Sequence, residues 1–217
     1  MEQYKQEFIE FMISCEVLKF GDFVTKSGRK TPFFVNTGFY RTGTQLKELG
    51  AYYARAIHAA FGDEASLLFG PAYKGIPLVA AVAVVLHAEH GLSLPWTFNR
   101  KEAKDHGEGG TLVGAPLAGK RVLILDDVLT AGTAIRESLA VLRAADAAPV
   151  AVVVALDRQE TVDGGDTALA RLAQTEQLTT AAVVTLDDLL QYIGDDTTLA
   201  AHLPAMQEYR RRYGAGR

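Results

Sequence analysis

Strand patterns and helix patterns alternate along the middle of this chain of 217 residues. Two of the strand patterns, "RVLILD" from Arg121 and "PVAVVVAL" from Pro149, are almost unbroken apolar runs. Unbroken runs are typical of strands that are buried on both faces, as in a parallel sheet covered by helices. The alternation therefore predicts an α/β fold in which a central, mostly parallel sheet is flanked by helices.

Local patterns predict where the individual elements lie. Apolar residues at helical spacing indicate a first helix that runs to about Leu18 and a second helix over 46–61. Two short apolar runs on either side of Ser27 and Gly28 indicate a β-hairpin. Further strands are expected at "SLLFG", "LPWTFN" and "AAVVTL", and further helices over 76–90, over 133–145 and within 186–213.

Composition narrows the class of protein. The sequence is 48% hydrophobic and 22% charged, which supplies enough apolar material for a buried core. The formal net charge of -4 argues against general nucleic-acid binding, which requires clustered positive charge. The longest apolar run, residues 76–86, is too short to span a bilayer, and "MEQYKQEF" is unlike a signal peptide. Cys15 is the single cysteine, so no internal disulfide is possible and a reducing compartment is expected. Together these features predict a cytoplasmic protein that binds neither nucleic acid nor membrane.

Ligands of open parallel sheets bind beyond the carboxyl ends of the strands. Three of the predicted loops fall there, at residues 70–75, 126–133 and 157–160. The charged stretch "RKEAKDHGEGG", which begins at Arg100, is expected to reach the same edge as a basic loop that can move. These four segments are therefore the expected source of the functional residues.

The segment "VLILDDVLTAGTA" (Val122–Ala134) places two carboxylates before a small, hydroxyl-rich loop that opens a helix. Backbone N–H groups at a helix start bind phosphate, and this loop lacks the lysine of a nucleoside-triphosphate loop. Ionised carboxylates accept hydrogen bonds, and sugar hydroxyls donate them. The segment therefore predicts a sugar phosphate, with its phosphate on the loop and its ribose hydroxyls on Asp126 and Asp127. Thr133 is expected to cap the helix.

The same segment resembles the phosphoribosyl-diphosphate signature of the type I phosphoribosyltransferases. The stretches "LKFGDFVTKSGRKTPFFVN", "LLFGPAYKGIPL", "FNRKEAKDHGEGG" and "ALDRQE" are similar, in this order, to those of the orotate phosphoribosyltransferases. The resemblance covers residues 4–213 and implies the type I phosphoribosyltransferase fold. It implies one domain over 1–217, with a small N-terminal hood (about 1–40) joined by C-terminal elements, a core over about 44–185, and a mobile catalytic loop.

The resemblance also implies a reaction. The ribose 5-phosphate group would pass from 5-phosphoribosyl 1-diphosphate to orotate, giving orotidine 5′-monophosphate and diphosphate in pyrimidine (UMP) biosynthesis. The implied cofactor is Mg²⁺ held mainly by the substrate, with no direct protein ligand. The implied assembly is a homodimer in which the basic loop acts across the subunit interface.

Residue roles follow from the match to these motifs. The resemblance implies that the catalytic residues are Lys104, His106, Asp126 and Asp127. The residues expected to bind phosphoribosyl diphosphate are Lys26, Tyr73, Lys74, Arg100, Lys101, Lys104, His106, Asp126, Asp127, Val128, Leu129, Thr130, Ala131, Gly132, Thr133 and Ala134. The residues expected to bind orotate are Phe34, Val35, Thr130 and Arg158.

Several of these residues also have a purely structural interpretation. The acidic pair could be a solvated turn, and Lys26 and Lys74 could be exposed lysines that favour solubility. The stretch "RKEAKDHGEGG" could be a solvated surface loop, because its acidic residues dilute its positive charge. His106 could be an ordinary loop histidine.

The predicted acceptor side leaves alternatives open as well. Arg158 offers a bidentate fork for the orotate carboxylate, or it could pair with Glu160 at the rim. Phe33 and Phe34 face opposite sides of their strand, so one of them is expected in the core. After Glu160 the chain reads "TVDGGDTA", where the family pattern has a basic or glycine-rich turn.

Two other functions compete with the orotate transferase. One is a regulator that keeps the phosphoribosyl-binding fold and senses its ligand without catalysis. The other is a related transferase for a purine base. The basic loop argues against a sensor, which has no leaving group to neutralise, and an arginine suited to a carboxylate argues against a purine acceptor.

Overall fold

A computed structural model describes residues 1–25, 28–61, 64–104, 110–129, 132–161 and 165–215. The helices are α1 (Gln3–Ser14), α2 (Gly43–Phe61), α3 (Gly75–His90), α4 (Thr133–Ala144), α5 (Ala168–Glu176), α6 (Leu186–Asp195) and α7 (Leu203–Tyr213). The strands are β1 (Leu18–Val24), β2 (Lys30–Val35), β3 (Leu67–Gly70), β4 (Trp96–Lys104), β5 (Gly110–Gly114), β6 (Arg121–Val128), β7 (Ala148–Asp157) and β8 (Thr179–Thr185). Short 3₁₀ helices cover Thr37–Phe39 and Ala200–His202.

The central sheet contains six strands in the order β5-β4-β3-β6-β7-β8. All neighbouring pairs are parallel except β4 and β5, which are antiparallel at one edge. The prediction of a mostly parallel sheet flanked by helices is thus confirmed. Strands β1 and β2 form a separate antiparallel pair, as the apolar runs around Gly28 indicated.

The apolar runs of the middle strands are buried on both sides of the sheet. Leu123 and Leu125 of β6 belong to a core cluster with residues of α1, α2, α3 and α6, whereas Val122 and Ile124 pack with residues of α4 and α5. Burying one such side chain stabilises the fold by about 1.5–3 kcal/mol, so neither face tolerates polar residues. This two-sided burial explains why the runs are unbroken. None of the described helices is both long and apolar enough to cross a membrane.

Several helix boundaries differ from the prediction, and α2 begins at Gly43 rather than at residue 46. Helix α1 ends at Ser14 rather than near Leu18, because Glu16 adopts a left-handed conformation with φ of 58° and Leu18 begins β1. Thr133 does not cap α4, because Gly132 occupies the N-cap position with φ of 72° and Thr133 is the first helical residue. Glycine adopts this backbone conformation at little steric cost, which is why the turn contains it.

The charged stretch that begins at Arg100 is only partly a loop. Strand β4 continues through Lys104, and Asn99 and Lys104 pair with Leu112 and Gly110 of β5. The expectation of a loop was therefore wrong for residues 100–104, because β5 supplies backbone partners to this polar part of the strand. Residues 105–109, which carry the rest of the predicted mobile loop, lie outside the described residues.

Helix α5 was not predicted from the sequence. It follows the divergent segment after Glu160, and it is short and preceded by glycine and aspartate. The Thr167 side chain caps it by accepting a hydrogen bond from the backbone N–H of Ala170, and Leu169 and Leu172 are buried beneath the sheet. The apolar signal of so short a helix is too weak to stand out without knowledge of the surface on which it packs.

Candidate active site

The predicted ligand loops meet at one edge of the central sheet. Strands β3, β6 and β7 are adjacent and parallel, and they end at Gly70, Val128 and Asp157. Because parallel strands present their carboxyl ends at the same edge, the loops after these strands come together there. The structure thus brings the Tyr73–Lys74 turn, the acidic pair and Arg158 to a common rim.

The turn between β3 and α3 is compact because two glycines let the backbone approach itself. A Cβ atom on Gly70 would lie 2.1 Å from the carbonyl oxygen of Gly75 and 2.7 Å from a Val79 methyl carbon. The Asn99 side chain of β4 also accepts a hydrogen bond of 3.0 Å from the backbone N–H of Ala72. The strand end, the helix start and the neighbouring strand therefore fix the position of the residues between them.

Gly70→Ala is expected to destabilise the protein by about 1–3 kcal/mol, because the new methyl group meets backbone atoms that cannot turn away. Thermal unfolding of the variant measures this cost. Gly194→Ala is the matched control, since its Cβ would meet nothing within 4 Å and it lies in helix α6. Equal melting temperatures for the two variants would contradict a tight turn at Gly70.

Asp127 connects three separate parts of the site. Its Oδ2 accepts hydrogen bonds from the Thr37 hydroxyl at 2.6 Å and from Lys74 Nζ at 2.9 Å. Its Oδ1 accepts a hydrogen bond from the backbone N–H of Val128 at 2.8 Å. The cation that is predicted to bind the diphosphate thus pairs with a carboxylate that is predicted to face the ribose.

Asp126 is half-buried, and its carboxyl group has a raised pKa. Its Oδ1 accepts the backbone N–H of Asp127 at 2.9 Å, and the hydroxyl of the buried Tyr53 donates to its carbonyl oxygen at 2.7 Å. Burial, followed by the charge of Asp127, raises the pKa of the Asp126 carboxyl from 3.8 to about 6. A solvated turn would not hold two adjacent acids in this way, so the structure argues against that interpretation.

The basic residues of β4 approach the Tyr73–Lys74 turn. Lys101 Nζ lies 5.3 Å from the centroid of the Tyr73 ring, and Tyr73 is 63% exposed. Arg100 is half-buried, and its Nη1 atom is buried with no hydrogen-bond partner among the described residues. A buried guanidinium nitrogen without an acceptor is costly, so this atom favours an anionic ligand as its partner.

Arg158, which is predicted to bind the acceptor, is held in place by contacts within the protein. Its Nε donates to Glu160 Oε1 at 2.5 Å, and its Nη2 donates to the hydroxyls of Thr31 at 3.1 Å and Tyr209 at 3.0 Å. Its guanidinium carbon lies 4.2 Å from the centroid of the Phe33 ring. The pairing with Glu160 that the sequence left open as an alternative is therefore present.

The two phenylalanines of β2 separate as the alternation of a strand requires. Phe33 is fully buried in the core, whereas Phe34 is 40% exposed. The Phe34 ring stacks on Phe23 of β1 with 5.5 Å between the centroids. Phe34 is thus an exposed aromatic side chain of the β1–β2 pair, and the neighbouring Val35 is half-buried.

The segment after the acids is described in part. Val128 is half-buried, the Leu129 side chain is packed in the core, and Thr133 and Ala134 are exposed at the start of α4. The Leu129 side chain is therefore part of the core. The candidate residues Lys26, His106, Thr130 and Ala131 lie outside the described residues, as does the side chain of Lys104.

The structure adds site residues that the sequence did not indicate. Thr37 contacts Asp127 across 90 positions of sequence, and Tyr209 contacts Glu160 across 49. Asn99 fixes the Ala72 backbone across 27 positions. No local pattern marks a polar residue whose partner lies so far away, although Asn99 stands out as a polar residue that ends the apolar part of β4.

Comparison with known proteins identifies the family. The model of the "Phosphoribosyl transferase domain" family matches residues 40–188. Orotate phosphoribosyltransferase of Thioalkalivibrio sulfidiphilus is 51% identical over 214 residues, which cover 99% of this chain and 100% of that protein. The corresponding protein of Haemophilus influenzae is 50% identical with the same coverage. The crystal structure of orotate phosphoribosyltransferase from Francisella tularensis superposes with a TM-score of 0.85 at 40% identity, covering 96% of this chain and 100% of that one. The chain therefore belongs to the orotate phosphoribosyltransferase family, whose members are pentosyltransferases.

Proposed function

We propose that the chain transfers the ribose 5-phosphate group from 5-phosphoribosyl 1-diphosphate to orotate, giving orotidine 5′-monophosphate and diphosphate. The observation that carries the proposal is the contact of Asp127 with Lys74 at the sheet edge, in a chain of this family. The contact places an acceptor for sugar hydroxyls beside a cation for phosphate. A molecule with a hydroxyl-bearing centre and anionic groups complements this arrangement.

In the proposed complex, hydrogen-bond donors and basic residues bind the two phosphate-bearing ends of the sugar substrate, and carboxylates face its ribose. The loop that opens α4 binds the 5′-phosphate through backbone N–H groups, and Asp126 and Asp127 face the ribose 2′- and 3′-hydroxyls. The diphosphate is bound by the basic residues Lys26, Lys74, Arg100, Lys101, Lys104 and His106, with Tyr73 at the turn. As the bond to the leaving group breaks, the carboxylates stabilise positive charge on the ribose and the basic residues stabilise negative charge on the diphosphate.

Charge balance around Arg158 supports a monoanion as the acceptor. Arg158 and Arg29 both donate to the single carboxylate of Glu160, which leaves one positive charge uncompensated within this group. The orotate carboxylate would supply the missing negative charge, while Phe34, Val35 and Thr130 contact its flat ring. A neutral purine base offers no such charge, so this arrangement favours orotate.

The donor set of the acidic pair fits Mg²⁺ that is held mainly by substrate oxygens. Carboxylate oxygens suit this ion, but Asp127 Oδ2 already accepts hydrogen bonds from Thr37 and Lys74. When bound, the ion neutralises charge on the diphosphate. We assign no direct protein ligand to Mg²⁺.

We also propose that the protein is a cytoplasmic homodimer, in which the basic loop of one subunit acts across the interface on the site of the other.

The proposed reaction is tested by an absorbance assay of orotate consumption. Orotate should disappear only when 5-phosphoribosyl 1-diphosphate and Mg²⁺ are both present. Thermal shift with orotate, uracil and hypoxanthine, in the presence of diphosphate and Mg²⁺, tests the choice of acceptor. Stabilisation by hypoxanthine alone, without orotate consumption, would overturn the proposal.

Arg158→Ala is expected to raise the KM for orotate about 10- to 100-fold, the equivalent of one hydrogen bond to a charged group. The KM for 5-phosphoribosyl 1-diphosphate should remain nearly unchanged, because the residue lies on the acceptor side. Arg158→Lys keeps the charge beside Glu160 but loses the planar guanidinium, so it should fold like the wild type and still show a raised KM for orotate. Arg143→Ala, which removes an exposed ion pair with Glu176, is the control. A change confined to the sugar substrate would contradict the assignment.

A further inference from the structure

A partly buried cluster connects Arg158 to the C-terminal helix. Glu160 Oε1 accepts hydrogen bonds from Arg158 Nε and from the hydroxyl of Tyr209, each at 2.5 Å. Glu160 Oε2 accepts a hydrogen bond from Arg29 Nη1 at 2.5 Å. Tyr209 lies on α7 and is only 4% exposed. One carboxylate thus joins the hairpin of the hood, the end of β7 and α7.

The Tyr209 hydroxyl completes both of its hydrogen-bonding roles within this cluster. It accepts from Arg158 Nη2 at 3.0 Å and donates to Glu160 Oε1. The hydroxyl of the buried Thr31 accepts the other hydrogen bond from Nη2 and donates to the carbonyl oxygen of Phe33 at 3.0 Å. A hydroxyl that accepts and donates at once has a fixed orientation, so the guanidinium edge that faces it is fixed as well.

The face of the guanidinium is fixed by aromatic packing. Arg158 lies over the Phe33 ring, and the Tyr209 ring meets Phe33 edge to face with 5.7 Å between the centroids. Side-chain hydrogen bonds therefore set the rotation of the guanidinium in its plane, and the two rings set the plane itself. The Arg158 side chain keeps 11% of its surface exposed, so a ligand can still reach it.

The contacts leave one nitrogen for a ligand. Nε and Nη2 are both bonded to protein acceptors, whereas no described residue accepts a hydrogen bond from Nη1. We propose that Tyr209 and Glu160 are positioning residues, which hold Arg158 so that Nη1 meets the carboxylate of the acceptor. This inference rests on the proposed function. It replaces the bidentate fork expected from the sequence with an end-on contact through Nη1, and it makes α7 part of acceptor recognition.

Tyr209→Phe tests the inference, because it removes the hydroxyl and keeps the ring. The KM for orotate should rise about 5- to 20-fold, the range expected for one or two net hydrogen bonds, while kcat and the KM for 5-phosphoribosyl 1-diphosphate stay within about twofold. The preference for orotate over uracil in equilibrium binding should fall by a similar factor, since uracil lacks the carboxylate. A merely structural role would lower the melting temperature and the active fraction without changing this preference.

Tyr213→Phe is the matched control. Tyr213 also lies on α7, and its ring packs on Tyr209, but its hydroxyl makes no hydrogen bond with the described residues. If Tyr209→Phe fails to fold, Glu160→Asp, which keeps the charge but draws the carboxylate away from Arg158 Nε, is expected to show a similar rise in the orotate KM. Wild-type values for the orotate KM and for the orotate preference in the folded variant would overturn the positioning role. A wild-type protein that neither binds nor consumes orotate would instead overturn the proposed function.

Discussion

Replacing Asp126 by asparagine is expected to lower kcat by about 10²- to 10³-fold and, at about pH 8, to raise the melting temperature. Asparagine keeps the oxygen that accepts the backbone N–H of Asp127, so the local fold is preserved. The substitution removes the negative charge of Asp126, which, in our proposal, stabilises the ribose in the transition state. The same charge is unfavourable in the folded protein without a ligand, so activity and stability should change in opposite directions.

The pH dependence of the stability difference follows from the Asp126 pKa. Burial and the neighbouring Asp127 raise this pKa from 3.8 in the unfolded chain to about 6 in the fold. The folded state therefore holds the proton more tightly, and the stabilisation from protonated Asp126 is fully present below about pH 4 and is lost as the pH rises through about 6. A shift of this size corresponds to about 3 kcal/mol above the folded pKa. The asparagine variant should thus unfold about 5–10 °C above the wild type at about pH 8, and this gap should shrink towards about pH 4.5.

Thermal unfolding across this pH range, together with the orotate assay, checks both halves of the prediction. Asp22→Asn is the control, because Asp22 is an exposed aspartate on β1. Its variant should retain activity and unfold at nearly the wild-type temperature at about pH 8. Full activity in Asp126→Asn would remove the aspartate from the proposed mechanism, and a stability gap that is constant with pH would contradict the raised pKa.

The central sheet could be predicted from the sequence because its signal is local. Strands β6 and β7 are buried on both faces, and this condition alone requires the unbroken apolar runs. Once those strands are parallel, Asp126, Asp127 and Arg158 must lie at one edge, because each follows the end of an apolar run. Their position at one edge of the sheet could therefore be predicted before the structure.

The remaining features depend on partners that are distant in sequence. The polar part of β4 is a strand only because β5 folds back beside it, and the conformation of Gly132 determines which residue begins α4. Thr37 and Tyr209 have no local pattern, since each is defined by a hydrogen bond to another segment. The acidic pair could thus be found from the sequence, whereas the residues that orient it and Arg158 required coordinates.

Replacing Lys104 by alanine is expected to lower kcat by about 10²-fold or more and to change the KM for 5-phosphoribosyl 1-diphosphate much less. Lys104 is the last residue of β4 and pairs with Gly110, so its backbone is held at the base of the predicted loop. Its charge should act mainly on the departing diphosphate, whose negative charge grows as the bond breaks. An interaction that strengthens in the transition state contributes to kcat rather than to substrate binding.

Steady-state kinetics with both substrates varied separates these two effects. Lys47→Ala is the control, because Lys47 forms only an exposed ion pair with Glu89 on the helical surface. Mixing the inactive Lys104→Ala and Asp126→Asn chains then shows which subunit supplies the lysine. If the loop acts across a homodimer interface, half of the randomly mixed dimers contain one intact site, and about one quarter of the wild-type activity should return. No recovery would place Lys104 in the site of its own chain, and an equal loss of kcat and of sugar-substrate affinity would contradict its role in the transition state.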